Sequence, residues 1–258
     1  MKKYLASTII ALSLLVPCFA QADITTGLQG WWKFDEGSGT ISNDSSGNGH
    51  TGTNIGTSTY LTGKIGPYAI NFNGTSQTVA TTFQTSYNDF SACAWYNAQG
   101  TQGHTNVRIF DTNYQLGYWV GSNGANTWGG GVLKSSAPYG IFVTLSDGSW
   151  HHICEVRAGT LETIYGDGGA VKATSTVSAS QIGTYQLGIG CESQNVSCVS
   201  YFKGYLDDAR IYNRALSAAD VSELYAYTGL TSGNVWMAFQ VLKTSFFRVL
   251  KGSVLKIQ

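Results

Sequence analysis

The sequence predicts an all-β fold, an antiparallel sandwich or jelly roll, on three observations. The 258-residue chain is only 12% charged and carries 32 Gly, 15 Tyr, 11 Phe, 7 Trp and 3 Pro, whereas about 25% charged is usual for a soluble domain. Short apolar runs recur between turn dipeptides, the pattern of hairpins. No fixed-length repeat is present, which disfavours a propeller. So few charges also exclude a disordered or coiled-coil chain, and Gly without a three-residue period excludes collagen. The 15 Lys and Arg balance the 15 Asp and Glu, so no basic surface for nucleic acid is advertised.

The runs follow one another along the chain. Trp31-Trp32-Lys33-Phe34 leads into Glu36-Gly37-Ser38-Gly39, and Ala69-Ile70-Asn71-Phe72 into Asn73-Gly74. Residues 90–96 alternate around Cys93 and Trp95. Tyr118-Trp119-Val120 meets Gly121-Ser122-Asn123-Gly124, and residues 141–145 stop at Asp147-Gly148. Residues 150–157 follow, then Ile164-Tyr165 before Asp167-Gly168-Gly169, then residues 185–190. One segment differs. Ser217 stands as a helix N-cap with Asp220 three residues on, Leu216 and Val221 occupy hydrophobic-staple positions, and Gly229 supplies a stop. A short C-terminal helix is expected there, packing Val221, Leu224 and Tyr225 on the sandwich.

Lys2 and Lys3, the apolar residues 5–16, and Ala20-Gln21-Ala22 have the layout of a secretory signal cut after Ala22. A dozen apolar residues fall short of the roughly 20 that a membrane span needs. Export to a secreted, periplasmic or cell-surface location implies an oxidising compartment. Cys93, Cys154, Cys191 and Cys198 then allow three pairings. Cys191 and Cys198 bracket a polar stretch suited to a local bridge. That leaves Cys93 with Cys154, each in a strand-like run, as a second bridge or as two buried thiols. No Cys-x-x-Cys spacing suggests zinc.

Five blocks in order resemble laminin-G-like jelly-roll domains of the concanavalin A-like superfamily. They are Gly30-Trp31-Trp32-Lys33-Phe34-Asp35-Glu36-Gly37-Ser38-Gly39 with Asp44-Ser45-Ser46-Gly47-Asn48-Gly49-His50-Thr51-Gly52; Ala69-Ile70-Asn71-Phe72-Asn73-Gly74; residues 90–95; Trp150-His151-His152-Ile153; and residues 202–217, with Tyr205-Leu206-Asp207-Asp208-Ala209-Arg210-Ile211-Tyr212 at their centre. The resemblance implies a two-sheet antiparallel jelly roll with Greek-key wiring over residues 23–229, secretion, carbohydrate binding and a structural calcium ion. Residues 97–140 match no family motif, and the family ordinarily ends near residues 225–229.

Calcium takes several hard oxygen ligands. The segment 35–52 gathers acids and amides among Gly and Ser, and in the resembling domains it lies beside the strand carrying Asp207. Asp35, Asp44, Asn48 and Asp207 are the expected ligands, completed by backbone oxygens near Glu36 and Gly37. The competing reading is that Asp44 and its neighbours form turns bonded to their own backbone.

Catalysis finds less support. His151 and His152 are adjacent on a strand, so one is buried and the other exposed, and they read as structural. A glycosidase needs two carboxylates about 5–9 Å apart on one face. Asp35-Glu36 and Asp207-Asp208 are adjacent and should face opposite ways, while Glu155 and Glu162 stand seven apart across a turn. No Gly-x-Ser-x-Gly occurs. Sugar rings stack on aromatics flanked by amides, and Tyr114, Tyr118, Trp119 and Trp128 crowd the unmatched block with Asn123. These five are the expected ligand contacts.

Residues 230–258 carry Lys243, Arg248, Lys251 and Lys256, no acid, and apolar residues near helical spacing. They read as a basic amphipathic tail able to meet a membrane surface or partner, or to pack on the domain. Residues 23–229 hold 9 basic against 15 acidic groups, a mildly acidic balance that suits cation sites and neutral glycans. The expected product is a secreted, non-catalytic module binding a glycan or a cell-surface protein, with structural calcium. An envelope adhesion module without sugar specificity and a divergent polysaccharide hydrolase or lyase are the alternatives.

Overall fold

A computed structural model describes residues 23–229 apart from 86, 101, 113–117, 135, 136, 139, 177–183, 195 and 196. The expected signal segment (residues 1–22), the 230–258 tail and Tyr114 lie outside the described residues.

In chain order the strands are β1 (Leu28–Trp32), β2 (Ile41–Ser42), β3 (Gly52–Ile55), β4 (Thr59–Thr62), β5 (Tyr68–Asn73), β6 (Thr78–Thr85) and β7 (Phe90–Ala98). Then come β8 (Arg108–Asp111), β9 (Tyr118–Ser122), β10 (Thr127–Lys134), β11 (Ala137–Pro138), β12 (Ile141–Thr144), β13 (His151–Ala158) and β14 (Leu161–Gly166). A 3₁₀ turn at Asp167–Gly169 precedes β15 (Val171–Thr176), β16 (Tyr185–Ile189), β17 (Glu192–Gln194), β18 (Ser197–Val199), β19 (Lys203–Tyr212) and helix α1 (Ala218–Ala226).

Among the described residues the strands form two large antiparallel sheets. One runs β15-β14-β13-β7-β19-β5-β4, with β1 also on β19; the other runs β11-β10-β9-β8-β16-β6-β3-β2, with β12 on β10. Neighbours distant in sequence, such as β7 between β13 and β19, give the jelly-roll wiring. Alternation sends Trp32, Phe72, Phe90, Tyr96, Phe110 and Trp128 into one core between the sheets. The outer face of the first sheet buries a second cluster, in which Val221 and Leu224 of α1 cover Cys93, Cys154 and Tyr212.

Both cysteine pairs are bridged, Cys93 to Cys154 and Cys191 to Cys198. Cys93 and Cys154 stand directly opposite on β7 and β13, and Cys191–Cys198 ties the base of the β17–β18 hairpin. Ser217 caps α1 as expected: its hydroxyl accepts from Asp220 N–H, and the Asp220 side chain accepts from Ser217 N–H. The helix ends at Ala226, before Gly229, and Tyr225, although partly exposed, stacks on Trp95 of β7 with ring centres 5.2 Å apart.

Glu155 and Glu162 do not stand apart. The β13–β14 hairpin sets Glu155 opposite Ile164 and Arg157 opposite Glu162, so all four share the face turned inward. Both glutamates are buried. Burial, then the neighbouring Glu162 charge, raises the Glu155 carboxyl well above the ordinary glutamate value, against the opposing pull of Arg157. This paired carboxylate lies inside the sandwich, where no polysaccharide reaches it.

Candidate functional site

A cleft of about 230 Å³ opens on the outer side of the first sheet, lined by Trp31, Lys33, Asp35, Ile65, Gly66, Pro67, Asp207, Asp208, Tyr227 and Gly229. Four stretches of chain supply it. β1 and the loop after it bring Trp31 to Asp35, the β4–β5 connection brings Ile65 to Pro67, β19 brings the two aspartates, and the segment after α1 brings Tyr227. Pairing of Trp31 with Arg210 fixes β1 beside β19. The β4–β5 connection approaches closely: a Cβ on Gly66 would sit 2.6 Å from Asp35 Oδ1, and its φ is +71°, a backbone region that favours glycine.

The two aspartates do different work. Asp207 Oδ2 accepts from Lys64 N–H at 2.7 Å and Ile65 N–H at 2.8 Å, holding the β4–β5 connection. Its Oδ1 is buried without a hydrogen-bond partner, and the residue is 1% exposed. Desolvation pushes its carboxyl up to about 8; the charges of Asp208 and Asp35 add to the rise and the two N–H bonds oppose it. Asp208 Oδ1 accepts from Trp31 Nε1 at 2.6 Å and from Arg210 Nε and Nη2 at 3.2 and 3.0 Å. The Arg210 guanidinium lies 4.2 Å from the Trp31 ring centre and 4.4 Å from that of Tyr227. Lys33 Nζ is 4.3 Å from the Trp31 ring. Burial also raises Asp35, against the hydrogen bond from Tyr68 N–H.

Of the four expected calcium ligands, Asp35 and Asp207 reach this cleft, and the other two are engaged elsewhere. Asp44 Oδ1 accepts from the N–H groups of Trp31 and Ser46, and its Oδ2 from the Ser46 hydroxyl and His50 N–H. Burial pushes its carboxyl upward, but those donors outweigh burial and leave it below the ordinary value. Asn48 spends its amide N–H groups on the carbonyls of Leu28 and Gln29. Asp44 thus closes a turn of its own loop, as in the competing reading, while Asn48 and one of the Asp44 bonds tie that loop to β1. Among the described residues no group of three or more His, Cys, Asp or Glu is arranged to hold a metal. The partnerless buried Oδ1 of Asp207, with Asp35 beside the same space, is the part of the donor set that fits a cation; Asp44 has both oxygens occupied, and neither it nor Asn48 lines the cleft.

Of the expected aromatic contacts, the three among the described residues do not come together. Tyr118 and Trp128 point into the core, their rings 4.3 Å from Phe90 and 4.2 Å from Tyr96. Both are fully buried, so neither ring has a face free for a sugar. Trp119 points to the opposite side of its sheet, as strand alternation requires. There it is 2% exposed, with Arg108 4.0 Å from its ring centre and Phe142 at 5.7 Å. Asn123 is exposed at the β9–β10 turn. Sequence reading missed Trp31, Lys33, Asp208 and Tyr227 as site residues. The alternation Trp31, Lys33, Asp35 on one side of Trp32 and Phe34 was the signal that could have found the first two.

His151 and His152 face opposite ways as expected, but neither is exposed: His152 is 2% exposed and His151 is half-buried beside Asp167. Burial, then the Arg210 charge, lowers His152 to about 3. It is therefore a neutral packing residue, lying 5.3 Å from the Trp95 ring.

A family model described as the concanavalin A-like lectin/glucanases superfamily matches residues 72–222. Among curated proteins none matches the chain in sequence. Among solved structures, domain 4 of AbnA, an extracellular arabinanase from Geobacillus stearothermophilus, aligns at TM-score 0.62 and 24% identity over 77% of this chain and 98% of that one. The binding domain of Paraclostridial Mosquitocidal Protein 1 aligns at TM-score 0.65 and 16% identity over 79% of this chain and 52% of that one. A botulinum neurotoxin serotype D/C binding domain aligns at 0.62 and 14%, over 79% and 53%. The chain thus spans about half the length of the two toxin domains. These likenesses show the fold, and with more than half of the chain matched by the family model, the protein belongs to the laminin-G-like family of the concanavalin A-like lectin/glucanases superfamily.

Proposed function

We propose that the protein is an exported recognition module whose outer cleft takes a ring of a glycan carried by a polysaccharide or a cell surface. The observation that carries this reading is the combination in one 230 Å³ space of two half-buried aromatics, Trp31 and Tyr227, with Lys33 and the carboxylates of Asp35, Asp207 and Asp208. Tyr227 offers an apolar wall for ring C–H groups, Lys33 donates to hydroxyls, and the half-buried Asp35 carboxylate accepts from them. Arg210 and Asp208 are locked to each other and to Trp31, so the walls are set before a ligand arrives. The resemblance to an arabinanase domain in complex with arabinotriose supports a sugar as ligand.

Calcium belongs to the same reading. Asp35 and Asp207 are the side chains that would hold it, and the ion would supply the positive charge that the partnerless Asp207 oxygen lacks. Holding it would tie the loop after β1 and the β4–β5 connection to β19. Without calcium, Asp207 carries a proton at pH 7, since its pKa is raised to about 8.

Immobilised glycan arrays test the proposal. The native chain should bind a subset of glycans, and Tyr227→Ala should weaken that binding at least about tenfold, the loss of roughly 1.4 kcal/mol of stacking. Unchanged binding by Tyr227→Ala would remove the cleft as the site. Blank arrays would favour the adhesion alternative.

A further inference from the structure

A second set of side chains, none of which lines the cleft, carries the geometry of a nucleophile, a base and its orienting acid. His151 opens β13, Ser146 lies in the connection before it, and Asp167 begins the 3₁₀ turn after β14. The Ile153–Gly166 pairing of the β13–β14 hairpin brings Asp167 back beside the start of β13. His151 Nδ1 lies 2.8 Å from Asp167 Oδ2, and His151 Nε2 lies 3.1 Å from Ser146 Oγ. Both separations fall in the range that recurs, on unrelated folds, between a nucleophile, its base and the group that orients the base.

The polarity of the chain of bonds follows from the acceptor. A carboxylate only accepts, so Nδ1 donates to Asp167, and in the neutral tautomer that this contact selects Nε2 can accept from the Ser146 hydroxyl. Asp167 and the chain on either side of Ser146 are held by further hydrogen bonds. Asp167 Oδ1 accepts from His152 N–H at 3.0 Å, which leaves Oδ2 aimed at His151. Asp167 sits at φ +48°, a costly conformation for a residue with a Cβ and one that surrounding contacts must enforce. On either side of Ser146, Leu145 N–H donates to Asn126 O at 3.0 Å and Asp147 N–H to Asn126 Oδ1 at 2.7 Å. The Asp147 carboxylate in turn accepts from Trp128 Nε1 at 3.1 Å. Ser146 itself is exposed, so the hydroxyl is fixed yet open to a carbonyl group.

We propose that Ser146 is a nucleophile toward short-chain acyl esters, with His151 as general base and Asp167 as the residue that positions His151. Ser146 Oγ bonds to the ester carbonyl carbon while its proton passes to His151 Nε2. The tetrahedral adduct expels the alcohol oxygen, which takes that proton, leaving an acyl-serine. Water then attacks the same carbon, gives its proton through His151 to Ser146 Oγ, and releases the carboxylic acid. The site lies on an open surface, which favours small acyl groups such as acetyl over long chains. This activity does not depend on the glycan reading.

The test is hydrolysis of p-nitrophenyl acetate by the full chain, with a fluorophosphonate probe mapped by peptide mass spectrometry. Ser146→Ala and His151→Ala should each lower the rate about a hundredfold or more, Asp167→Asn should lower it while leaving the label on Ser146 slow but present, and Ser149→Ala, an exposed serine in the same turn, should leave it unchanged. Removing one exposed hydroxyl does not endanger the fold, so Ser146→Ala decides the matter alone. A rate unchanged in Ser146→Ala, no rate above buffer in the native chain, or a probe that labels elsewhere would each overturn the proposal.

Discussion

Asp207 and Asp208 are consecutive residues, yet both line one cleft. A regular strand sends neighbours to opposite faces. β19 is not regular here: its register against β7 shifts between Asp207 and Arg210, and Asp208 sits at φ +50°. Such bulges bend a strand and re-aim its side chains. The result is one buried carboxyl with an oxygen to spare beside one carboxylate whose Oδ1 is engaged by both Trp31 and Arg210.

The pH dependence of stability should report Asp207. Folding raises its pKa from 3.8 to about 8, so the native state holds a proton that the unfolded chain releases between those values. The stability so conferred is complete below the unfolded value and is lost as pH rises toward 8. In chelator, denaturant midpoints should therefore fall across this window, and Asp207→Asn should flatten the fall. A native chain equally stable at pH 5 and pH 8, with Asp207→Asn parallel to it, would contradict the assignment.

Calcium should act against the same proton. Binding requires the deprotonated carboxylate, so the rise in melting temperature on adding calcium should grow from pH 6 to pH 9. At a hundredfold excess over its dissociation constant the ion would add about 2.7 kcal/mol. Asp35→Asn and Asp207→Asn should abolish the effect, whereas Asn48→Ala should not. Identical melts of metal-stripped protein with and without calcium would remove the ion.

Glu155 predicts a second pH effect of the same sign. Neither of its carboxyl oxygens has a partner, and it is fully buried. Burial favours its neutral form, so the native chain should lose stability as pH rises above the ordinary glutamate range, and Glu155→Gln should reduce that loss. Urea titrations at acid pH and at pH 8 measure it; a variant less stable at pH 8 would mean that the carboxylate is needed.

The bridge and the helix carry stability in separable amounts. Replacing Cys93 and Cys154 together by Ala should cost about 2–5 kcal/mol, because the bridge closes a loop of sequence separation 61. Ser217→Ala should cost about 0.5–2 kcal/mol through the lost cap, and Leu224→Ala about 2–5 kcal/mol through the cavity beneath α1. Denaturant midpoints at constant slope give each value.

What was legible in the sequence was local. The apolar runs, the turn dipeptides and the Ser217–Asp220 box each depend on residues a few positions apart, and the structure forms them where expected. The cysteine pairs could be read because one pair was close in sequence and the other sat in two apolar runs. The site was harder because its parts are non-local. Strand alternation predicts the wrong faces for Asp207 and Asp208 when a bulge intervenes. A hairpin turn made Glu155 and Glu162 look distant, although its pairing puts them on one face. Asp44 has the composition of a metal ligand, but four donors within its own loop and β1 consume both oxygens. Tyr118 and Trp119 are neighbours of equal promise in sequence, and the pleat sends one into the core and the other outward.

The most direct test of the central claim is a glycan array read with and without calcium, on the native chain beside Tyr227→Ala. The account predicts binding by the native chain, strengthened by calcium and lost with the Tyr227 ring. Binding that is indifferent to both Tyr227 and calcium would contradict it.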